Sequence, residues 1–349
     1  MSCFPRDNVT DLEIVKFDNV LEDSQSMLII HRVITYVACI TIISLNLLLQ
    51  YIILKTQNDV CQLRPLLLVS TIVNTTYGFL RLLTCRYSVA AYFRYLCFSN
   101  APYSSNRPVM AVFLFFEMIV MIIGWDLVPI QFLYRYCLLR YGRPPYGSQL
   151  LLFVGVCTTF TTLHVCSGMP LFVFRSFNND FQANAVKILQ HHGYNIPKEM
   201  IYGNAVGFGP KNFFSVLRPY LFISINFAVI VSTTYAVHQK LKEAAVSSGT
   251  RQFHVYVQKM LIILSVSLFI TCVFTNIITS NIAILCYHYK WISLVNSCLT
   301  FLEPLVSPIV SLYFIIHYRN AFHSLTGRLF ASSKIRLSHQ AAIIPASIS

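Results

Sequence analysis

The sequence predicts an all-α membrane protein, a seven-transmembrane helix bundle with a short amphipathic eighth helix. Three observations carry this expectation. Long apolar runs take up most of the 349 residues, the chain is 56% hydrophobic and only 11% charged, and its bases gather between the runs rather than inside them. A hydrocarbon core about 30 Å thick needs roughly 20 apolar residues per helical crossing at about 1.5 Å each. A soluble domain carries about 25% charged residues, so lipid is the solvent that fits a chain of mean hydropathy +0.61.

The seven runs are Leu28 to Leu54, Leu66 to Cys85, Val109 to Leu138, Gln149 to Phe174, Val216 to Val237, Val257 to Leu285 and Ile292 to His317. They divide the chain into an extracellular segment 1–27, a bundle 28–317, and a cytoplasmic helix and tail 318–349. Residues 1–26 hold Asp7, Asp11, Glu13, Asp18, Glu22 and Asp23 and lack a basic start followed by an apolar run, so the first crossing is expected to serve as the insertion signal. After the seventh run, Phe322, Leu325 and Leu329 recur at helical spacing among Arg319, Arg328, Lys334 and Arg336. That pattern reads as a helix lying on the inner leaflet, held by apolar insertion and anionic lipid.

Orientation follows from short loops and helix ends. With the N-terminus outside, the inner loops and flanks carry Lys55, Arg64, Arg135, Arg140, Arg143, Lys240, Lys242, Arg251 and Lys259, against Arg81, Arg86, Arg94, Arg107 and Lys290 outside. Asn8-Val9-Thr10 is a glycosylation sequon in the N-terminal segment, in keeping with that orientation. The net charge of +13 is scattered along membrane-surface loops and excludes nucleic acid as a partner. No CxxC pair or Cys/His cluster at metal spacing is present, and neither a metal nor a cofactor is expected. Cys85 and Cys97 flank the loop between the second and third runs; they either pair, if that loop is extracellular, or stand as free thiols. The loop from Arg175 to Lys211 is too long for a simple connection; it is either a lid over a ligand cavity or a surface loop.

Ionisable groups inside the membrane cost about 3 kcal/mol upwards and each calls for a partner or a role. At 100° per residue, Glu117, Met121, Gly124, Val128, Gln131 and Arg135 share one face of the third helix, and Asp126 lies on the opposite one. Asp126 is therefore placed poorly for a salt bridge to Arg135 unless Pro129 distorts the helix. Glu117, about two turns below the outer surface, is with Met121 a candidate ligand contact, or else an acid hydrogen-bonded within the bundle. Arg135, between Tyr134 and Tyr136, either holds the inner end closed and meets a G-protein helix C-terminus, or snorkels beside belt tyrosines. In the seventh run Asn296, Thr300, Glu303, Ser307 and Ser311 form a stripe beside Pro304 and Pro308. Asn46, Gln50, Ser70 and Asn74 lie at depths that join Ser307 in a hydrated network; the plainer reading is interhelical glue at about 0.6–2 kcal/mol per bond.

These residues carry a family resemblance. Leu45-Asn46-Leu47-Leu48 with Tyr51-Ile52-Ile53-Leu54 resembles the first helix of nematode serpentine chemoreceptors of the Str superfamily. Phe132-Leu133-Tyr134-Arg135-Tyr136 resembles their third-helix signature, and Glu303-Pro304-Leu305-Val306-Ser307-Pro308 with Tyr313-Phe314 and Tyr318-Arg319 their seventh-helix ending. The Str and Srd branches are the most similar, over about residues 28 to 325. The resemblance implies G-protein-coupled chemoreception at the plasma membrane of sensory neurons, on cilia, with a small-molecule ligand, a heterotrimeric G protein and the bilayer as partners. It gives Arg135 the place of the arginine in the Asp-Arg-Tyr motif of rhodopsin-like receptors, and sets Pro308 and Tyr313 near their Asn-Pro-x-x-Tyr. Two departures stand out: the second helix offers Asn74 where a sodium site needs an acid, and the sixth run has no proline hinge. The alternative function is a ligand-gated cation channel of the seven-helix odorant-receptor kind, with inverted topology. A di-iron membrane enzyme would need clustered histidine boxes, and His191-His192 is the only adjacent histidine pair.

Overall fold

The computed structural model describes residues 24–56, 63–91, 94–101, 107–141, 155, 159, 179–191, 193–194, 196, 201–205, 210–243, 248–275 and 290–326. In chain order these form α1 (Ser24–Lys55), α2 (Arg64–Thr84), β1 (Arg86–Ala91), β2 (Arg94–Ser99), α3 (Arg107–Tyr141), α4 (Asn179–His191), β3 (Ile201–Ala205), α5 (Pro210–Glu243), α6 (Ser248–Phe269), α7 (Lys290–Leu299) and α8 (Leu302–Phe314). A π-helical turn, Ile270–Phe274, continues α6, and a further helix covers 316–326. Six helical stretches among the described residues are long and apolar enough to cross a bilayer; α7 and α8 together make one of them, Trp291–Phe314. The predicted fourth run, apart from 155 and 159, lies outside the described residues, as do Asn8 and Leu329.

The outward faces show what lipid does to a helix pattern. On α1, Val33, Val37, Ile40, Leu47, Tyr51 and Leu54 are exposed, while Thr35, Cys39, Ile42, Asn46, Leu49 and Ile53 are buried. Both sets recur at spacings of three and four (with one step of seven), so each is a stripe along one side. The polar residues Thr35 and Asn46 fall on the buried stripe, the reverse of a soluble helix. Hydrocarbon outside cannot satisfy a hydroxyl or an amide, so these groups turn to other helices.

Around this core α1 packs on α2, α7 and α8; α2 packs on α3; α3 packs on α5 and α6; and α6 packs on α8. A close approach between α1 and α2 is made at Gly78. A Cβ there would come within 3.0 Å of Ile43 Cγ1 and 3.1 Å of Ile42 Cγ2. Small residues let membrane helices gain dispersion contact where no hydrophobic drive separates them from lipid.

The third layer is an antiparallel sheet in the order β1-β2-β3, which the helix-only reading of the sequence did not foresee. Its register sets Tyr87 opposite Phe98, Val89 opposite Leu96, and Phe98 opposite Ile201. By strand alternation these residues share one face. There they cluster with Leu28 of α1 and with Ala185, Leu189 and Tyr194 of the α4 segment. The other face, with Cys97 and Tyr202, joins the bundle core, and β1 also packs on α7. So α4 and β3, from the long loop, belong to a cap over one end of the bundle, the sheet end. The last helix, 316–326, packs Tyr318, Ala321 and Phe322 on the core at the opposite end.

Replacing Gly78 with valine is expected to force α1 and α2 apart, a cost of about 1–3 kcal/mol for overpacking. A lower melting temperature of the purified protein in detergent checks this, with Gly155→Val as a control, since nothing lies within 4 Å of a Cβ at Gly155.

Candidate functional site

Glu117 is fully buried on α3 at the sheet end, and three donors converge on it. Arg81 Nη1 donates to Oε1 at 3.1 Å, Arg86 Nη2 stands 3.4 Å from the same oxygen, and Thr84 Oγ1 donates to Oε2 at 2.5 Å. Arg81 and Thr84 come from the last turn of α2, and Arg86 from the first residue of β1. The reversal between them is made at Cys85, which takes a left-handed backbone at φ 41 and bonds its N–H to the Arg81 carbonyl. The α2 carbonyl dipoles favour a cation at that position. Arg86 Nη2 also lies 3.9 Å from Met121 Sδ, and the Arg81 guanidinium sits 5.2 Å from the centre of the Phe301 ring. The two predicted ligand contacts, Glu117 and Met121, are thus brought together around a pair of arginines.

Midway along the bundle the two prolines of the seventh crossing decide the geometry. Pro304 and Pro308 cannot donate to the carbonyls of Thr300 and Pro304, four residues back in each case. The chain interrupts its helix between Leu299 and Leu302, and side chains from three other helices fill in. Asn46 Nδ2 of α1 donates to the Pro304 carbonyl at 3.2 Å and to Ile42 O at 2.8 Å. Tyr77 Oη of α2 reaches Thr300 O at 3.5 Å, and Thr271 Oγ1 of the π turn donates to Leu299 O at 3.2 Å. Just beside this, Asn74 Oδ1 and Glu303 Oε2 flank Gly124, at 3.8 and 3.9 Å from a Cβ built there. Glu303 and Ser307 are both buried. Gln50 Nε2 bonds Thr75 Oγ1 at 3.0 Å.

At the far end Arg135 is 1% exposed and donates from Nη1 to Gln258 Oε1 of α6 at 2.5 Å. It does not snorkel. The neighbouring Tyr136 does face outward, where its hydroxyl accepts from Arg140 Nη1 at 2.7 Å, while Tyr134 is buried. Asp126, on the other side of α3, accepts from Asn226 Nδ2 of α5 at 3.1 Å. The helical phase that separated it from Arg135 holds through Pro129, which lies within an unbroken α3.

Two predicted positions fall elsewhere. Cys85 and Cys97 are free buried thiols, which corrects the disulfide. The register sets Cys97 against Ser88, three residues beyond Cys85, whose carbonyl accepts from Asn100 N. Three strand residues span about 10 Å, and a disulfide needs Cα atoms within about 7 Å. Burial also pushes the Cys97 thiol up to about 12 and raises that of Cys85, so neither offers a reactive thiolate. Tyr313 is 64% exposed on the lipid side; the buried tyrosine at this end of the seventh crossing is Tyr318, at 1%. Pro308 is buried.

Over residues 31–324 the sequence matches the family model described as serpentine type 7TM GPCR chemoreceptor Srd. The chain belongs to the Srd family. No match to a curated protein accompanies it. Srd lies within the Str superfamily, so the receptor is a nematode serpentine chemoreceptor and a multi-pass seven-helix membrane protein. The match also spans the fourth apolar run.

Arg81, Arg86, Thr84 and Gln258 were missed as partners by sequence reasoning. Arg81 carried a signal: it stands inside an apolar run, followed by Leu82 and Leu83, where a charge needs a counter-charge. Arg86 and Gln258 carried none, because a hairpin and a neighbouring helix bring them in. Glu117→Gln is expected to leave two buried guanidiniums without their anion and cost about 3–5 kcal/mol. Asp126→Asn keeps an acceptor for Asn226 and should cost under about 1 kcal/mol, near the mean bond strength between membrane helices. Thermal melting of the two variants side by side checks the contrast.

Proposed function

We propose that this Srd receptor is a G-protein-coupled chemosensory receptor. It binds a small-molecule cue between its helices at the sheet end and activates a heterotrimeric G protein at the Arg135 end. The N-terminus and the sheet face outside, at the plasma membrane of a sensory-neuron cilium. Family membership gives the class; the observation that carries the mechanism is the bond from buried Arg135 to Gln258, which ties α3 to α6.

Magnitudes favour this bond as a switch. A hydrogen bond to a charged group contributes about 1.5–3 kcal/mol, and coupling free energies between sites run at about 1–3 kcal/mol. A cue that binds the open arrangement more tightly by that amount is enough to release Gln258. Breaking a buried ion pair would ask for about 3–5 kcal/mol.

The π turn Ile270–Phe274 gives α6 a hinge without proline. A π turn holds one residue more than the α-helix it interrupts. Tightening it to α geometry turns the Gln258 half of the helix by about 100° against the half tethered to Leu299. That rotation withdraws Gln258 from Arg135. At the sheet end, Arg81 touches both Glu117 and Phe301, the latter at the interruption of the seventh crossing. A cue that moves Arg81 therefore reaches the hinge region through one side chain.

Arg135→Ala is expected to abolish the second-messenger response to an active cue, found by screening volatile and water-soluble compounds with a calcium reporter, while surface labelling stays at the wild-type level. Gln258→Leu should raise basal signalling several-fold. Normal responses in Arg135→Ala would remove Arg135 from the mechanism. For topology, Asn8→Gln should abolish a glycosidase-sensitive mobility shift; glycosylation appearing only at sites engineered into the tail would invert the orientation.

A further inference from the structure

A groove of about 380 Å³ runs between α1 and the seventh crossing. It lies toward the sheet end: β1 packs on α7, and His31, three residues before Ile34, meets the Tyr87 ring. Ile34 lines it from α1, and Leu294, Cys298, Leu302 and Leu305 line it from α7 and α8. At the interruption between Leu299 and Leu302 the chain turns Phe301 inward onto Cys39, Ile42 and Tyr77, and the groove stands on the outer side of that ring. Ile34 and Val295, 37% and 42% exposed, open it sideways. Both belong to stretches that cross the bilayer, so whatever enters comes from the membrane.

The walls and the solvent together choose the occupant. No side-chain nitrogen or oxygen belongs to the described lining, whose one heteroatom is the Cys298 sulfur. A polar group seated there would find no partner, so the occupant presents hydrocarbon to the walls. An ordinary lipid tail gains little by entering, because the bilayer outside is as apolar as leucine. It also loses rotational freedom when held against fixed walls. A rigid fused-ring body has little such freedom to lose and keeps the full dispersion contact. Trp291 adds a second criterion. It lies three and four residues before Leu294 and Val295, hence on the same helix face, and is 51% exposed. Its indole N–H offers one donor beyond the end of the groove, where tryptophans sit at the membrane surface.

We propose that this groove is a binding site for a membrane sterol, a rigid ring system with a single hydroxyl. The rings lie against Leu294, Cys298 and Leu302, and the hydroxyl oxygen accepts from the Trp291 indole. The bound sterol braces the interruption of the seventh crossing from the lipid side, while Thr271 holds the Leu299 carbonyl from within. Phe301, which lines the groove, also carries the Arg81 guanidinium at 5.2 Å from its ring centre. The sterol therefore steadies the same ring on which the Glu117 node rests.

The test uses the full-length receptor in phosphatidylcholine nanodiscs, without any G protein. A photoactivatable cholesterol and, separately, a photoactivatable phosphatidylcholine are cross-linked to it, and the labelled peptides are read by mass spectrometry. The sterol probe should label residues 291–305 and be displaced by unlabelled cholesterol; the phosphatidylcholine probe should not concentrate there. Val295→Phe and Cys298→Phe fill the groove and should each lower the sterol labelling about ten-fold. Ile309→Phe, on the lipid face outside the groove, should leave it unchanged. Trp291→Phe should weaken displacement by cholesterol about three- to ten-fold, the worth of one hydrogen bond. Cholesterol should raise the melting temperature of the wild type and of Ile309→Phe, and not that of the filled variants. Sterol labelling spread evenly over the lipid-facing helices would overturn the proposal. So would equal labelling of residues 291–305 by the phosphatidylcholine probe, which assigns the groove to lipid tails, and so would a full sterol response in both filled variants. Undiminished displacement in Trp291→Phe would overturn the orientation given to the hydroxyl.

Discussion

Fully buried on α3, the Glu117 carboxylate organises the sheet end by the donors it collects. Arg81 and Thr84 come to it from the last turn of α2, and Arg86 comes from β1, so one side chain of α3 fixes where α2 stops and where the sheet begins. The left-handed backbone at Cys85 is the local condition for this. Without that reversal Arg86 would continue the helix and point away from α3. Arg81 extends the reach of the node to Phe301, so the sheet, the second and third helices and the interruption of the seventh crossing meet within a few ångströms.

The same demand for internal satisfaction explains the middle of the bundle. Proline in a soluble helix leaves a carbonyl that water can take; in lipid the replacement donor must come from the protein. Asn46, Tyr77 and Thr271 are three answers to one problem posed by Pro304, Pro308 and the turn between α7 and α8. Each bond is modest. Together they join α1, α2 and α6 to a segment whose own helix is interrupted between Leu299 and Leu302. A helix held this way is firm in position and soft in shape, the combination a moving bundle needs.

Much of this was legible in the residues. Lipid exposure forces long apolar runs, so the crossings could be counted before any motif was read, and a 3.6-residue period placed Glu117, Gly124, Gln131 and Arg135 on one buried face and Asp126 on another. The third- and seventh-helix motifs pointed to the family, and the Srd match resolves the branch. The hairpin was not legible because Tyr87, Val89, Leu96 and Phe98 alternate inside segments that also read as basic loop. Partner choice was less legible still. Gln258 and Asn226 are ordinary amides until the bundle sets them beside Arg135 and Asp126. Tyr313 and Tyr318 looked equivalent in the sequence, and the extended backbone at Ile315 is what turns one to lipid and the other inward.

The bond from Asn46 to the Pro304 carbonyl has a consequence for how such chains diverge. The asparagine answers the N–H that Pro308 withholds; with any other residue at 308 the helix would supply that donor itself, and the Asn46 amide would keep only its bond to the Ile42 carbonyl. Conversely, losing the asparagine first would strand the carbonyl. The two positions, far apart in the chain, are thus linked in one direction: a relative that keeps the proline without the asparagine should show another residue standing in for the missing donor.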